Sequence, residues 1–283
     1  MTHATPALVP GWPRLRRILF YVGLAAILLW FLFPLLWMAL TSIKPPREYY
    51  ASPPFIIPAQ PTLDHYVTTI TQMSVFTQMK HSVIIAVAST ALSLILACFA
   101  GYAIGRFKFA GRVDIALWIL TLRIMPPIAM SIPYFLLLRT FGLIDTYAGL
   151  SIIYLVFNLP FAVWMLSAYF QDIPAELEES AMVDGCSRLR SFLIITLPLT
   201  IPGLVSTGLF CFISSWNEYL FAVIFTRSQA VTIPVMMSEF LYRGVEWGPL
   251  CATAVLAVLP VFVIALAIQR NLIRMMTFGA VKG

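Results

Sequence analysis

The chain has 283 residues, of which 60% are hydrophobic and only 11% charged, and its mean hydropathy is +0.90. A water-soluble globular fold of that length would need far more polar surface to cover its exterior, so the composition excludes one. The net charge of +6 does not point to nucleic acid, because the basic residues lie at the ends of apolar runs and not among aromatics on one face. Cys98, Cys186, Cys211 and Cys251 are scattered singly, which excludes a disulfide framework and offers no metal-ligand spacing.

Residues 1–17 form a short Pro-rich segment ending in Arg14, Arg16 and Arg17. The uncharged run 18–40 is too long for a signal-peptide core and reads as a retained transmembrane helix. Residues 41–80, with Lys44-Pro45-Pro46-Arg47 and several further prolines, read as an irregular outer segment with a short helix near 63–73. A second span at 82–105 ends in a G-x-x-x-G pair, Gly101 and Gly105, which permits close helix approach. Arg106, Lys108 and Arg112 then make a basic loop.

A third span, 115–138, carries Arg123 and Pro126-Pro127, and a fourth, 147–170, is interrupted by Asn158 and Pro160. A fifth, 203–225, contains Trp216-Asn217-Glu218. Residues 226–248 read as a second outer loop, 249–268 as a sixth span, and 269–283 as a basic tail. The internal prolines Pro34, Pro126, Pro127 and Pro160 permit kinks.

The longest polar interval, 172–198, is patterned as a folded element. Asp172 is expected as an N-cap and Pro174 in the first helical turn. Glu176, Glu178 and Glu179 suit the positive helix end, and Gly185 the C′ position. Ser187 is expected to cap a second helix in which Leu189, Phe192 and Leu193 recur at helical spacing, closed by Leu197-Pro198 and Ile201-Pro202. The bland reading is a polar loop whose carboxylates only cap a helix; the sharper one is a compact helix–turn–helix docking handle.

Six spans put both termini on one side of the membrane. With that topology eleven of the eighteen basic residues fall on the side of the termini and the handle, six on the other, and Arg123 inside. The excess assigns termini and handle to the cytoplasm.

From Glu179 the chain runs Glu-Ser-Ala, three residues, Gly185, nine residues, Ile195, one residue, Leu197-Pro198. This resembles the cytoplasmic signature of the membrane subunits of bacterial ATP-binding-cassette importers, which normally begins Glu-Ala-Ala; Ser180 departs from it by a hydroxyl. Further segments resemble the second permease of the carbohydrate importers of the maltose-transporter type. These are Thr41-Ser42-Ile43-Lys44, Gly101-Tyr102-Ala103, Arg123-Ile124-Met125-Pro126-Pro127, Trp216-Asn217-Glu218, Trp247-Gly248-Pro249-Leu250, Gln269-Arg270 and Gly279-Ala280-Val281-Lys282-Gly283. Lys80-His81-Ser82 and Met275 depart from the usual family residues.

The resemblance implies an all-α membrane protein of six transmembrane helices, with a cytoplasmic segment 1–17 and one permease domain 18–283 in a bacterial inner membrane. It would contain a coupling loop 171–198 between spans four and five and a cytoplasmic tail 269–283. It also implies a heterodimer with a second homologous permease, two ATPase subunits, an extracytoplasmic binding protein and a sugar substrate. Glu178, Glu179, Ser180, Ala181, Asp184, Gly185, Ile195, Leu197 and Pro198 would then couple to the ATPase. The tail Gly279, Ala280, Val281, Lys282 and Gly283 would touch it as well.

The chain has no G-x-x-x-x-G-K-S/T phosphate loop, so ATP and Mg²⁺ are expected on the partner ATPase, with no cofactor, metal site or catalytic residue here. Arg123 and Glu218 fall at membrane depth, where ionisable groups face a cavity or a partner. With Asn158, Trp216 and Asn217 they are candidates for the translocation path; a structural ion pair or a contact with the partner permease is the competing reading. An ion-coupled secondary transporter is the alternative function, but it leans on Glu218 almost alone. A membrane scaffold without a transport path would leave the handle and Arg123 unexplained.

Overall fold

The computed structural model describes residues 14–242, 244 and 246–278, and among them the chain is all-helical with no strand. In chain order come α1 (Arg14–Thr41), α2 (Pro46–Tyr49), α3 (Asp64–Thr71), α4 (Val75–Arg106) and α5 (Arg112–Thr121). A 3₁₀ turn (Leu122–Ile124) leads to α6 (Pro127–Thr140) and α7 (Tyr147–Asp172). Then follow α8 (Ala175–Val183), α9 (Arg188–Ser191), a π-helical turn (Phe192–Thr196), α10 (Leu197–Leu199) and α11 (Ile201–Trp216). The last are α12 (Leu220–Phe225), α13 (Ile233–Tyr242) and α14 (Trp247–Phe278).

Four segments are long and apolar enough to cross a membrane: Ile18–Thr41, Val75–Arg106, Tyr147–Asp172 and Trp247–Leu266. Two bent pairs reach the same criterion, Arg112–Ile124 with Pro127–Thr140 at 92° and Arg188–Leu199 with Ile201–Trp216 at 72°. The expected continuous helix 115–138 is therefore corrected to a broken one. Met125 precedes a proline and is extended (φ −61°, ψ 132°), so the helix cannot run through it. The expected fifth span is broken too: α11 stops at Trp216 and α12 starts at Leu220, leaving Asn217–Tyr219 between them. Pro160, by contrast, leaves α7 a single helix, and the segment 226–248 contains α13.

The chain forms two compact units, residues 1–69 with 246–255 and residues 70–245 with 256–283. In the first, the segment after α1 is tied down by many polar contacts. Glu48 is buried and its carboxylate accepts from the N–H groups of Ala59 (3.1 Å) and Gln60 (3.0 Å). His65 Nε2 bonds to the Lys44 carbonyl at 2.8 Å, and Gly248 packs directly on the His65 ring. Lys44 is buried with Nζ 4.2 Å from the Trp37 ring centre, and burial lowers its pKa.

In the second unit α4 and α7 pair closely and α11 packs on both. The G-x-x-x-G pair makes this possible. A Cβ on Gly101 would lie 3.1 Å from the Ser167 nitrogen, and one on Gly105 would lie 2.8 Å from the Ser167 carbonyl oxygen. Membrane helices depend on such close packing to associate, because in lipid no hydrophobic driving force brings them together. A polar seam runs through the same contact: Ser89 Oγ and Ser215 Oγ lie 2.9 Å apart, and Asn158 Nδ2 donates to Ser215 Oγ at 2.8 Å.

The connection from α12 to α13 is anchored on Asp145. Its carboxylate accepts from the backbone N–H groups of Arg227, Ser228, Gln229 and Ala230 at 2.9 to 3.2 Å. Burial pushes the Asp145 carboxyl up, but these donors outweigh it and hold its pKa below the ordinary range.

Candidate functional site

The handle is built by local signals at each joint. Ile173 precedes Pro174, is extended (φ −80°, ψ 129°), and so ends α7. Asp172 consequently closes α7 and does not cap α8; Pro174 occupies that position and makes no side-chain cap. At the far end of α8 the Cys186 N–H bonds to Ala181 O (2.9 Å) and the Gly185 N–H to Met182 O (3.1 Å). This is a Schellman closure, and it needs the left-handed φ of +90° that Gly185 adopts. Ser187 Oγ then accepts from the Arg190 N–H at 3.3 Å, as expected for a cap on α9.

Leu197-Pro198 does not close the second limb. The Pro198 ring removes an N–H and crowds the carbonyl four residues back, and the chain answers with the π turn Phe192–Thr196, in which the Leu197 N–H reaches Phe192 O. The helix continues through Pro198, and the bend falls between Leu199 and Ile201.

The acidic residues of α8 divide into two faces. Glu176, Glu179, Ser180, Asp184 and Gly185 are exposed, whereas Ala181 is buried. Exposed apolar groups stand among them: Val183 is 87% and Leu189 59% accessible. The hydroxyl of Ser180 donates to Glu176 O at 2.7 Å, so the departure from Glu-Ala-Ala is absorbed within the helix.

Glu178, expected with Glu179 among the ATPase-coupling residues, is an internal group of the handle. It is 8% exposed, and its carboxylate accepts from Tyr102 Oη (3.0 Å), Arg106 Nε (3.0 Å) and Thr196 Oγ1. Arg106, expected in a short basic loop with Lys108 and Arg112, ends α4 and also donates to the carbonyls of Ile173 (2.7 Å) and Pro174 (3.3 Å). Ile195 and Leu197 are half-buried and Pro198 exposed. The tail residues 279–283 lie outside the described residues.

The five candidates for the path sit in different surroundings. Arg123 is exposed beside the break before α6, its guanidinium 5.0 Å from the Phe161 ring centre and 5.7 Å from that of Phe157. It lines a cavity with Met125, Tyr134, Phe157 and Phe221. Asn158 is buried in the seam between helices, bonded to Ser215 Oγ and the Cys211 carbonyl. Trp216 is buried against Phe212, and Asn217 donates to Ile213 O. The Glu218 carboxylate accepts from the N–H groups of Phe221 (2.9 Å) and Ala222 (3.1 Å) and so caps α12.

Sequence reasoning missed the roles of Tyr102, Arg106, Thr196 and Asp145. Tyr102 and Arg106 sit four apart, one helical turn, which was the available hint that they share a face.

Residues 93–278, which hold the handle and its anchor, match the family described as binding-protein-dependent transport system inner membrane component. The trehalose/maltose transport system permease protein MalG of Thermococcus litoralis is 32% identical over 274 residues, covering 95% of this chain and 98% of that protein. The chain belongs to this family. The permease is thus an inner-membrane transport component and not an enzyme. It is also 31% identical over 274 residues to the diacetylchitobiose uptake system permease protein DasC of Streptomyces coelicolor, covering 96% of this chain and 97% of DasC. A chain of a bacterial ABC transporter that imports the acidic polysaccharide alginate shares its fold. The TM-score is 0.74 at 24% identity, over 92% of the permease and 99% of that chain.

Proposed function

We propose that this permease carries a sugar or related solute inward and couples that passage to a partner ATPase through the handle of α8 and α9. The single observation that carries the coupling reading is the division of α8. Its inner carboxylate is consumed by the protein, while Glu179 and Asp184 stand exposed with Val183 and Leu189 around a fixed glycine turn. Charge interleaved with exposed apolar groups on a rigid turn suits contact with another protein. The sugar class follows the trehalose/maltose and diacetylchitobiose relatives.

Counting each bent pair as one span gives six, with both termini and the handle in the cytoplasm by the excess of basic residues there. The assembly would comprise a second homologous permease, two ATPase subunits that hold ATP and Mg²⁺, and an external binding protein. The tail residues 279–283 would add a second contact with the ATPase. The Arg123 cavity, with its aromatic walls and one cation, is the stretch of path assigned to this chain. The ion-coupled alternative loses its main support, because the Glu218 carboxylate is occupied at the start of α12.

The test is substitution at the turn. Glu179→Ala should remove a charged contact, and Gly185→Val should force a β-branched residue to φ +90°. Both variants should remain in the membrane and lose substrate uptake. Wild-type uptake by both would overturn the coupling assignment.

A further inference from the structure

We infer that the docking handle is fastened to the last turn of α4, so that Arg106 and Glu178 are positioning residues that deliver its displacement to that helix. The inference rests on the reading of α8 and α9 as the handle. It goes beyond that reading by naming the helix that is driven.

The handle's covalent joints are its weak points. At one end the extended Ile173 and Pro174 interrupt the helix, and at the other the chain bends by 72° between α10 and α11. Against these stand six non-covalent ties to residues 102–107. The Glu178 carboxylate, buried inside α8, receives Tyr102 Oη and Arg106 Nε from α4, and Thr196 Oγ1 from the second limb. The same Arg106 guanidinium donates through Nη1 and Nη2 to the carbonyls of Ile173 and Pro174, the residues at the interrupted joint. The second limb adds Arg188, whose guanidinium lies 5.1 Å from the Phe107 ring centre, and Phe192, whose ring is 4.5 Å from that of Tyr102.

Both limbs of the handle therefore grip one turn of α4. A guanidinium with three bonds in fixed directions is stiffer than a hinge, and a buried charge cannot leave its partner without a large desolvation cost. Motion entering at Glu179 and Asp184 reaches α4 before it can be absorbed at either joint. From there the close seam at Gly101 and Gly105 passes it to α7.

The experiment uses the full assembled transporter with Cys98, Cys186, Cys211 and Cys251 replaced by alanine and spin labels at Leu177→Cys on α8 and Leu96→Cys on α4, both exposed positions outside the docking surface. The label-to-label distance distribution should be narrow with the anchor intact. Arg106→Gln and Glu178→Gln should each broaden it and lower uptake and substrate-stimulated ATP hydrolysis together by at least tenfold. The ATPase should remain bound at the wild-type ratio. Arg106→Lys should fail to rescue, since an ammonium cannot reach three acceptors in different directions. The double variant should be no worse than either single one, because the two groups act as a unit.

Tyr102→Phe keeps the ring and removes one donor, and provides a milder variant should the others not assemble. It should broaden the distribution less and still reduce stimulated hydrolysis. An unchanged narrow distribution, wild-type uptake, or loss of the ATPase from the Arg106→Gln complex would overturn the inference. The distance readout needs no assumption about docking. Normal uptake by both the Glu179→Ala and the Gly185→Val transporter would remove the docking reading by itself, and a narrow distribution in Arg106→Gln would remove the anchor by itself.

Discussion

Adding one methyl group at Gly105 tests the central packing seam with a sign that can be worked out beforehand. An alanine Cβ there would lie 2.8 Å from the Ser167 carbonyl oxygen and 3.1 Å from Phe170 Cβ. The carbonyl belongs to the backbone of α7, so relief requires the two helices to separate. Overpacking of this kind costs about 1–3 kcal/mol. Alanine recovers about 0.5–1 kcal/mol as the better helix former. Gly208→Ala provides the reference, because its Cβ would meet Leu94 Cδ1 at 3.1 Å, the far end of a flexible side chain, and the propensity gain should prevail. Gly105→Ala should therefore fall about 1–3 kcal/mol below Gly208→Ala, roughly 5- to 150-fold in the folding constant at about 1.4 kcal/mol per tenfold. The assay is reversible unfolding of the purified permease in mixed micelles with rising sodium dodecyl sulfate, followed by the fluorescence of its seven tryptophans. Equal midpoints, or a Gly105→Ala variant more stable than Gly208→Ala, would refute the packing described for α4 and α7.

Asp145→Ala should speed hydrogen exchange at residues 227–230, whose N–H groups the carboxylate holds. Because the native carboxyl titrates below its ordinary value, its contribution is complete above about pH 4 and lost as pH falls through the lowered pKa. Protection of 227–230 should therefore be flat from pH 7 to about 4, and a loss already between pH 7 and 5 would contradict the sign. Arg123→Ala should assemble normally and lower uptake at least tenfold, since its guanidinium is the cation of the cavity lined by Tyr134, Phe157 and Phe221; normal uptake would take Arg123 off the path. Deleting residues 279–283 should reduce substrate-stimulated hydrolysis by the partner ATPase, and unchanged hydrolysis would dismiss the tail as a contact.

The features legible in the sequence were those fixed by neighbouring residues. The helix α7 follows from one long apolar run, and the turn at Gly185 and the cap at Ser187 follow from residues whose conformation is set within a few positions. The break at Met125 is also written locally, in the pair Pro126-Pro127: single prolines at 160 and 198 leave their helices running, whereas here two successive pre-proline residues, Met125 and Pro126, are both extended. Long-range pairings were not legible. Glu178 and Glu179 are chemically alike and adjacent; only the α4 turn carrying Arg106, 72 positions earlier, decides which one faces inward. Asp145 likewise gains its role from backbone groups some 82 to 85 positions away, which leave no side-chain signal.

The most direct measurement is purification of the permease from its native membrane in mild detergent, with identification of its partners and ATP hydrolysis assayed against a panel of sugars plus the binding protein. An ATPase and a second permease should accompany it, and one sugar with its binding protein should stimulate hydrolysis. A permease that purifies without an ATPase, or hydrolysis indifferent to every sugar, would contradict coupling through the handle.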